Sequence, residues 1–557
     1  MSVRRTALSV ALAATLLSAG VFAAGGRGSI TSGDLKEWLS YLASDQLEGR
    51  AIYTEGLGLA AGYIQTHLQE WRLTPRGDDH GYLQTVRVQG VKTTSRSSVT
   101  VQVGRETRTF KDGDGVTFPK NAGVKRTVSV GRVEFAGYGL DAPGAHYSDL
   151  AGKDFHDAAV IFIGATGPQA LDGDIVRRLL GGRGRWLTDQ GKAVAAIGPA
   201  RPQGTPPPPA PPNQGNGATR APRPDFTTTQ RLDQPIAPSV TASDALLQFL
   251  FSRAPTKYDE LKKKAEAREP LAGFRLDEVR LTFNVDTDYE VIRTQLTQNL
   301  VAVVEGSDPQ LKSSYVALGA HYDHVGYADS ELTSDSKRPS APGRVTPGAE
   351  SDRIWNGADD DGSGTVALMA IAQAFAEGPR PKRSVLLVWH AGEEDGLLGS
   401  RYFADHPTIA LDQVVAQLNI DMIGRNRDDK ASEANTVYLV GSDRISSELQ
   451  DVNRAANRSL DQPLTLDYEM NDPADPEQIY FRSDHYSYAA KGIPIIFFTT
   501  GLHPDYHANT DEVSKILFPK MTRVVQLVYE TAWRLANLDH PPVRDFKGPR
   551  AGKGTRE

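Results

Sequence analysis

The sequence predicts an α/β fold, with a mixed, mostly parallel central sheet flanked by helices and an inserted β-rich domain. From about residue 298, apolar strand-like runs alternate with helical runs, a pattern typical of a sheet covered by helices on both faces. Short β-branched runs between turn residues begin near residue 97 and indicate a separate β-rich unit. A chain of 557 residues exceeds what one core supports, so two or more folded units are expected.

The elements of the C-terminal half follow from apolar spacing. Continuously apolar runs predict strands buried on both faces, and apolar residues three and four apart predict helices. The predicted strands are NLVAVVEG, SSYVALGA, RSVLLVW, VVAQLNID and IPIIFFTTG, and the predicted helices are TVALMAIAQAFAEG and FPKMTRVVQLVYETAWRLANL. Two further amphipathic helices are predicted within residues 33–75.

The N-terminus has the composition of a secretory signal peptide. Arg4 and Arg5 precede the apolar run ALSVALAATLLSAGVFAA, and small residues near Ala23 and Ala24 indicate cleavage there. The alternative is a membrane anchor, because the run is near the lower limit for spanning a bilayer. We expect an exported protein, periplasmic or extracellular, with no stable membrane insertion after cleavage.

Charge and cysteine content narrow the partners and the metal chemistry. A formal charge of -7 argues against nucleic acid and anionic membranes as partners, which leaves small or peptide-like molecules. The chain has no cysteine, so it has neither disulfides nor thiolate metal sites. Any metal must be held by His, Asp and Glu.

Acids and imidazoles follow the predicted strands. Ligands of open α/β sheets bind outside the carboxyl ends of the strands. The residues there are His321 and Asp323 after SSYVALGA, Glu393 and Glu394 after SVLLVW, Asp421 after VVAQLNI, and His507 after IPIIFFTTG. The triplet Asp359–Asp361 precedes a predicted helix that Ser363 could cap. This set predicts a metal site suited to zinc, with cobalt or manganese as substitutes.

Charge balance favours two ions. Three carboxylates and one bridging hydroxide neutralise two divalent ions, whereas a single ion would leave the site negative. Each group alone has an ordinary structural explanation, as a helix cap, a turn or a solvated loop. Their repeated occurrence at strand ends favours the metal site.

The motifs GAHYDH, ADDDGSG, EEDGLLGS, NIDMIG and YHANTDE resemble those of metallopeptidase family 28, the co-catalytic di-zinc peptidases, over most of residues 33–90 and 295–538. The resemblance implies a zinc-peptidase fold of the phosphorylase/hydrolase-like type. It also implies one zinc ion held by His321 and Asp421. A second zinc ion is held by Glu394 and His507. Asp360, three residues before the serine of ADDDGSG, bridges both ions.

The resemblance also assigns residues around the ions. Asp323 is similar to the carboxylate that orients the first imidazole. Glu393, adjacent to a ligand but not consumed by coordination, is the implied general base. Tyr506, next to His507, is a candidate hydrogen-bond donor to the substrate.

The implied function is an exported aminopeptidase that uses two zinc ions on peptide substrates. A carboxypeptidase or dipeptidase with the same site is the main alternative, and the sequence does not say whether Arg353 or Arg482 faces the pocket. A glutaminyl cyclase and a non-catalytic receptor-like relative are further alternatives.

A serine hydrolase is disfavoured because no G-x-S-x-G occurs and the contiguous residues 483–485 cannot form a triad. Neither an H-E-x-x-H motif nor a phosphate loop is present.

The predicted domain organisation combines these observations. The β-rich insert, with EFAGYGLDAP and LAGKDFHDAAVIFI, resembles a protease-associated domain. Its proline-rich loop is expected to be extended, with a PxxP ligand as the alternative. The predicted segments are a signal peptide (1–24), the N-terminal part of the peptidase domain (28–125), the insert (126–292) with its proline-rich loop (201–224), the catalytic domain (293–540) and a disordered basic tail (541–557). The oligomeric state is left open.

Overall fold

The structure, a computed structural model, describes residues 25–142, 145–171, 173–199, 227–329, 341–473, 475, 477–546 and 555–557. The predicted signal peptide and the proline-rich loop lie outside the described residues. Among the helices that are described, none combines the length and the apolar character needed to cross a membrane.

The helices and strands are numbered along the chain. The helices are α1 (Ser32–Leu42), α2 (Glu55–Glu70), α3 (Gly173–Arg185), α4 (Asp244–Leu250), α5 (Tyr258–Glu266), α6 (Gly364–Glu377), α7 (Leu398–Asp405), α8 (Ser447–Arg458), α9 (His485–Ala489) and α10 (Phe518–Asn537). The strands are β1 (Thr74–Pro75), β2 (Leu83–Ser95), β3 (Ser98–Val103), β4 (Glu106–Asp112), β5 (Gly115–Thr117), β6 (Arg126–Val130), β7 (Arg132–Phe135), β8 (Asp141–Ala142), β9 (Tyr147–Ser148), β10 (Ala158–Ile161), β11 (Ala195–Pro199), β12 (Thr227–Thr229), β13 (Ser239–Ala242), β14 (Phe274–Arg275), β15 (Val279–Val285), β16 (Thr287–Val304), β17 (Tyr315–His321), β18 (Gly326–Tyr327), β19 (Ile354–Trp355), β20 (Ser384–His390), β21 (Val414–Ile420), β22 (Thr436–Val440), β23 (Thr465–Asp467) and β24 (Ile495–Thr499).

The first sheet has the strand order β12-β2-β16-β20-β17-β21-β24-β22-β23, with β1 beside β16. Its four central strands, β20, β17, β21 and β24, are parallel, and β16 and β2 extend it in antiparallel pairing. This mixed sheet with flanking helices confirms the predicted fold class. The five strands and two long helices predicted in the C-terminal half all form.

Both faces of the first sheet are covered, which explains the continuously apolar strands. In β16, Leu300 and Ala302 pack in the core under α1, α2, α6 and α10, whereas Val301 and Val303 pack on the opposite face with α7 and α9. Side chains alternate between the faces of a strand, so a strand buried on both sides must be apolar at every position. Helix α6, apolar on nearly all sides, is correspondingly buried along most of its length.

The second sheet has the order β14-β7-β10-β11-β13-β5-β4-β3-β15-β6 and its own hydrophobic core. Strands β7, β10, β11 and β13 are parallel neighbours, and α3, α4 and α5 accompany them. The unit predicted as β-rich is therefore itself a mixture of strands and helices. The short helices alternate with short strands there, and the β-branched runs of the sequence indicate only the strands.

The two sheets do not divide at the predicted boundary of residue 126. Strands β3, β4 and β5, assigned from sequence to the N-terminal part of the peptidase domain, pair within the second sheet because β3 hydrogen-bonds to β15. Strand β12, assigned to the insert, pairs instead with β2 of the first sheet. Both differences come from long-range pairing, which local sequence patterns do not specify.

The end of the chain differs from the disordered tail that its composition predicts. Glu557 exchanges backbone hydrogen bonds with Leu466 of β23. Arg556 places Nε 2.5 Å from Oδ2 of Asp467, a carboxylate that is only 1% exposed. The buried carboxylate and the free strand edge together position residues 555–557, although these residues bury little apolar surface.

Arg50 connects three segments of the first sheet's unit. Its side chain is 1% exposed, and its guanidinium donates to the carbonyls of Leu42, Tyr322, Asn356 and Gly357. Burial lowers the pKa of Arg50, and nearby carboxylates, led by that of Asp323, oppose this shift. The cation thus ties the end of α1 to the loops after β17 and before α6.

We predict that Arg50→Met lowers the free energy of unfolding by at least about 3 kcal/mol, because carbonyls left buried without a donor cost about 1–3 kcal/mol each. Thermal unfolding followed by circular dichroism measures the change. The matched control is Arg105→Gln, in the exposed turn between β3 and β4, which should change stability by about 0.5 kcal/mol or less. Equal melting temperatures for the two variants would contradict the proposed role of Arg50.

Candidate metal centre

The carboxyl ends of the four parallel strands meet at one edge of the first sheet. Strand β17 ends at His321, and β21 ends one residue before Asp421. Strand β20 ends at His390, after which Gly392, with a φ of 74°, turns the chain so that Glu393 and Glu394 follow at the same edge. The convergence of these side chains is therefore a direct consequence of parallel pairing.

Asp360 enters the cluster from the turn that precedes α6. Oδ2 of Asp511 accepts hydrogen bonds from the backbone N–H groups of Asp359 and Asp360, which fixes this turn. The predicted capping by Ser363 does not occur: its hydroxyl donates to the carbonyl of Asp359, and Asp361 Oδ1 accepts from the first N–H of the helix at Gly364. The reason is that Ser363 already has helical φ and ψ.

The structure brings all five sequence-predicted ligands together, with Asp360 in the centre. Nε2 of His321 lies 3.4 Å from Oδ1 of Asp360 and 3.7 Å from Oδ2 of Asp421. Nε2 of His507 lies 3.1 Å from Oδ2 of Asp360 and 2.9 Å from Oε2 of Glu394. Two imidazole–carboxylate pairs therefore lie on either side of one shared carboxylate.

Several ligand atoms in this cluster are buried without a hydrogen bond. Among the described residues, Nε2 of His321, Nε2 of His507 and Oδ2 of Asp360 have close neighbours in the cluster but none in hydrogen-bond geometry. Buried polar atoms are nearly always paired, and metal ligands are a recognised exception. Two imidazoles and three carboxylates form a donor set that suits zinc. The residues present thus fit a metal ion by number, chemistry and position.

The electrostatics of the cluster favour added positive charge. Burial opposes protonation of His321, but the neighbouring carboxylates, led by that of Asp421, raise its pKa well above the ordinary value. Burial likewise opposes protonation of His507, and the carboxylate of Glu394 leads the groups that raise its pKa. Burial raises the pKa of Asp361 well above its usual range, and Asp421 adds to the shift. Protons and metal cations relieve the same excess of negative charge.

Asp323 lies beside the first imidazole, but its backbone carbonyl, not the carboxylate that the resemblance implies, is within hydrogen-bond distance of the ring. Nδ1 of His321 lies 3.1 Å from the carbonyl oxygen of Asp323 and 3.7 Å from its carboxylate. If Nδ1 carries the proton, Nε2 presents its lone pair to Asp360 and Asp421. Oδ1 of Asp323 also accepts a hydrogen bond from the backbone N–H of Glu393. One residue thereby connects the imidazole to the segment that carries the predicted base.

Glu393 lies beside the cluster and is not paired within it. Its carboxylate lines a cleft together with Asp360 and Asp421. Burial raises the pKa of Glu393 well above its ordinary value, and Glu394 adds to the shift. A carboxylate with a raised pKa that faces a cleft suits proton transfer.

His324 and Asp361 also lie in the cluster, although the sequence motifs give neither of them a metal-binding role. Nδ1 of His324 lies 2.8 Å from Oε1 of Glu394, and its Nε2 is buried without a partner among the described residues. In the sequence, the indication of a role for His324 is that it lies three residues after His321, just beyond the end of a predicted strand. Asp361 also lies beside His321 and Asp421, but its oxygens accept from three backbone N–H groups. Because Asp360 retains an unpaired oxygen, it suits the bridging position better than Asp361.

The cleft beside the cluster is mostly apolar. Met422, Met470, Ile479, Phe497 and Leu502 line it, and Arg482 and Tyr506 complete its wall. The Tyr506 ring stacks on that of His507, and its hydroxyl accepts a hydrogen bond of 3.1 Å from Arg482. Arg353 does not line this cleft.

The segment 483–485 supports the cluster. The hydroxyl of Ser483 donates to Oδ2 of Asp421, whereas Asp484 faces His390 and His485 faces the carbonyl of Tyr480. Their side chains point to different partners, so they form no triad. This agrees with the expectation from sequence.

Comparison with known proteins gives a family for the C-terminal half. The model of Peptidase family M28 matches residues 299–532. A probable leucine aminopeptidase of Arthroderma otae is 28% identical over 244 residues, which are 42% of this chain and 57% of that protein. A probable zinc metalloprotease of Leptosphaeria maculans is 34% identical over 132 residues, 24% of this chain and 26% of that protein. The chain thus spans little more than half of the first relative's length.

Solved structures give weaker similarities. An aminopeptidase from Aneurinibacillus sp. strain AM-1 is 17% identical with a TM-score of 0.42, covering 95% of this chain and 99% of that chain. The LapA aminopeptidase of Legionella pneumophila is 25% identical with a TM-score of 0.32, covering 43% of this chain and 56% of that chain. The family match contains all five residues of the cluster, and residues 299–532 form a domain of peptidase family M28.

Proposed function

We propose that this protein is an exported zinc aminopeptidase that removes N-terminal residues from peptides. The observation that carries the proposal is the pair of imidazole–carboxylate contacts around Asp360, beside Glu393 and an apolar cleft. His321 and Asp421 would hold one zinc ion, Glu394 and His507 would hold the other, and Asp360 would be shared. Cobalt or manganese could take the place of zinc.

Glu393 acts as the general base in this proposal. Bound zinc ions supply Lewis acidity, which lowers the pKa of a water and polarises the substrate carbonyl. The Glu393 carboxylate takes a proton from the attacking water and passes it to the departing amine. Asp323 keeps His321 in position and, through the Glu393 N–H, helps to place the base. Arg482 orients the Tyr506 hydroxyl toward the cleft.

The charges of the cleft favour an aminopeptidase over a carboxypeptidase. Glu393 lines the cleft and is not among the proposed metal ligands, so its carboxylate is the acid there that can attract an α-ammonium group. Arg482 is the cation among the described lining residues, and it is engaged by Glu477 at 2.9 Å and by Tyr506. Its presence in the wall keeps a carboxypeptidase as the second candidate.

Glu393→Gln should lower kcat by about 10²–10⁴-fold, because the amide cannot accept the proton of the attacking water. Metal content, measured by inductively coupled plasma mass spectrometry, should stay equal to that of the parent protein. The comparison variant Glu394→Gln should lose metal as well as activity. An active Glu393→Gln enzyme would exclude this residue as the base.

Asp360→Ala should remove both zinc ions, because both imidazole–carboxylate pairs share this carboxylate. His324→Ala should retain both but weaken the ion beside Glu394 by about 10–100-fold, as expected for a residue that orients a ligand. Competition with a chromophoric chelator measures each affinity. Unchanged zinc affinity in Asp360→Ala would contradict the shared site.

The apolar cleft should accept large apolar side chains. Leucine p-nitroanilide should exceed aspartate p-nitroanilide in kcat/KM by about 10-fold or more, since burying a leucine side chain contributes about 1.5–3 kcal/mol. An amino-blocked peptide should resist hydrolysis because it lacks the α-ammonium group. Cleavage of the blocked peptide alone would favour the carboxypeptidase.

A further inference from the structure

A second cleft, away from the metal cluster, lies where the two sheet units meet. We call it the junction cleft; it has a volume of about 320 Å³, and its charged lining residues are Arg185, Asp189, Arg231, Arg401, Asp405 and Lys491. Arg185 ends α3 and Asp189 follows it in the second sheet's unit, whereas Arg401 and Asp405 belong to α7. Lys491 follows α9. The first sheet's unit therefore supplies one wall and the second unit supplies another.

The charges that line the junction cleft do not balance. Four cationic side chains face two carboxylates. Asp405, only 3% exposed, binds Arg231 at 2.7 Å and Lys491 at 2.7 Å. Oδ2 of Asp189 accepts a hydrogen bond of 2.5 Å from the hydroxyl of Tyr486. Both acids are thus already engaged.

Of the four cations that line the junction cleft, Arg185 and Arg401 are the two that Asp405 does not bind. Within the described residues, neither guanidinium forms an ion pair with a carboxylate. Arg401 is half-buried. Burial lowers its pKa, the positive charges of Arg185 and Arg231 add to this shift, and the carboxylate of Asp405 opposes it. Arg185 lies over the ring of Tyr486, 5.9 Å from its centroid. A half-buried guanidinium beside two others is repelled by them, and a bound anion would relieve this repulsion.

We propose that the junction cleft binds a small, doubly charged oxyanion between Arg185 and Arg401. A guanidinium group presents parallel N–H donors that match two oxygens of a carboxylate, phosphate or sulfate group. Two such groups on opposite walls suit a ligand with two negative charges. The cleft volume exceeds that of a simple oxyanion, so it has room for the remainder of a phosphorylated or dicarboxylic small molecule.

An anion bound in the junction cleft would contact both sheet units. Helix α7 begins at Leu398, shortly after Glu394, and α3 belongs to the second sheet's unit. Polar contacts already cross this junction, such as that of Lys192 Nζ with the carbonyl of Ala490 at 2.9 Å and that of Tyr486 with Asp189. An anion held by Arg185 and Arg401 would add a direct connection between the two units.

Isothermal titration calorimetry on the zinc-loaded, full-length protein tests the proposal, with sulfate and succinate as separate probes at constant ionic strength. We expect saturable binding of at least one probe at one site per chain. A preference for sulfate would indicate a phosphate-type ligand, and a preference for succinate a dicarboxylic one. Arg401→Gln and Arg185→Gln should each weaken binding by roughly tenfold or more, as expected when a charged hydrogen-bond donor is lost.

Two controls separate this site from other effects. Arg105→Gln removes an exposed arginine outside the cleft and should bind the probe as the parent does. Arg185 is exposed, so Arg185→Gln remains informative if Arg401→Gln fails to fold. Hydrolysis of leucine p-nitroanilide by the variants monitors the zinc site separately. Absence of saturable binding, or equal binding by the parent and both cleft variants, would overturn the proposal.

Discussion

Concentrated negative charge at one edge of the first sheet is the constraint on which the rest of the site depends. Asp360, Glu394 and Asp421 lie within reach of two imidazoles, and Asp323 and Asp361 are buried nearby. Like charges removed from water repel strongly, so this arrangement requires compensating cations. Without metal ions, protons on His321 and His507 supply part of that compensation.

The surrounding residues keep this repulsive arrangement in place. Asp511 accepts two backbone N–H groups of the aspartate turn, and Asp361 accepts three from neighbouring segments. Hydrogen bonds to a carboxylate stabilise its charged form, so these acids can support the turn without competing for the metal. Arg50 contributes a buried positive charge and ties the same loops together through four carbonyls. The proposed metal-binding side chains are thus positioned by a hydrogen-bond network that includes many residues outside the cluster.

Much of the first sheet could be predicted from sequence, because its strands are buried on both faces and are therefore apolar throughout. Parallel pairing then places whatever follows each strand at one edge, which is why His321, Glu394 and Asp421 were recognisable. The positions of β3 and β12 were not predictable, since they depend on long-range partners. His324 was left unassigned because a histidine after a strand has many ordinary roles, and only its contact with Glu394 reveals this one.

The most direct measurement is anomalous X-ray diffraction at the zinc edge from crystals of the zinc-loaded protein. We expect two anomalous peaks, one bound by His321 and Asp421 and the other by Glu394 and His507, with Asp360 in contact with both. A single peak, peaks elsewhere in the protein, or an Asp360 side chain turned away from the metal would contradict it.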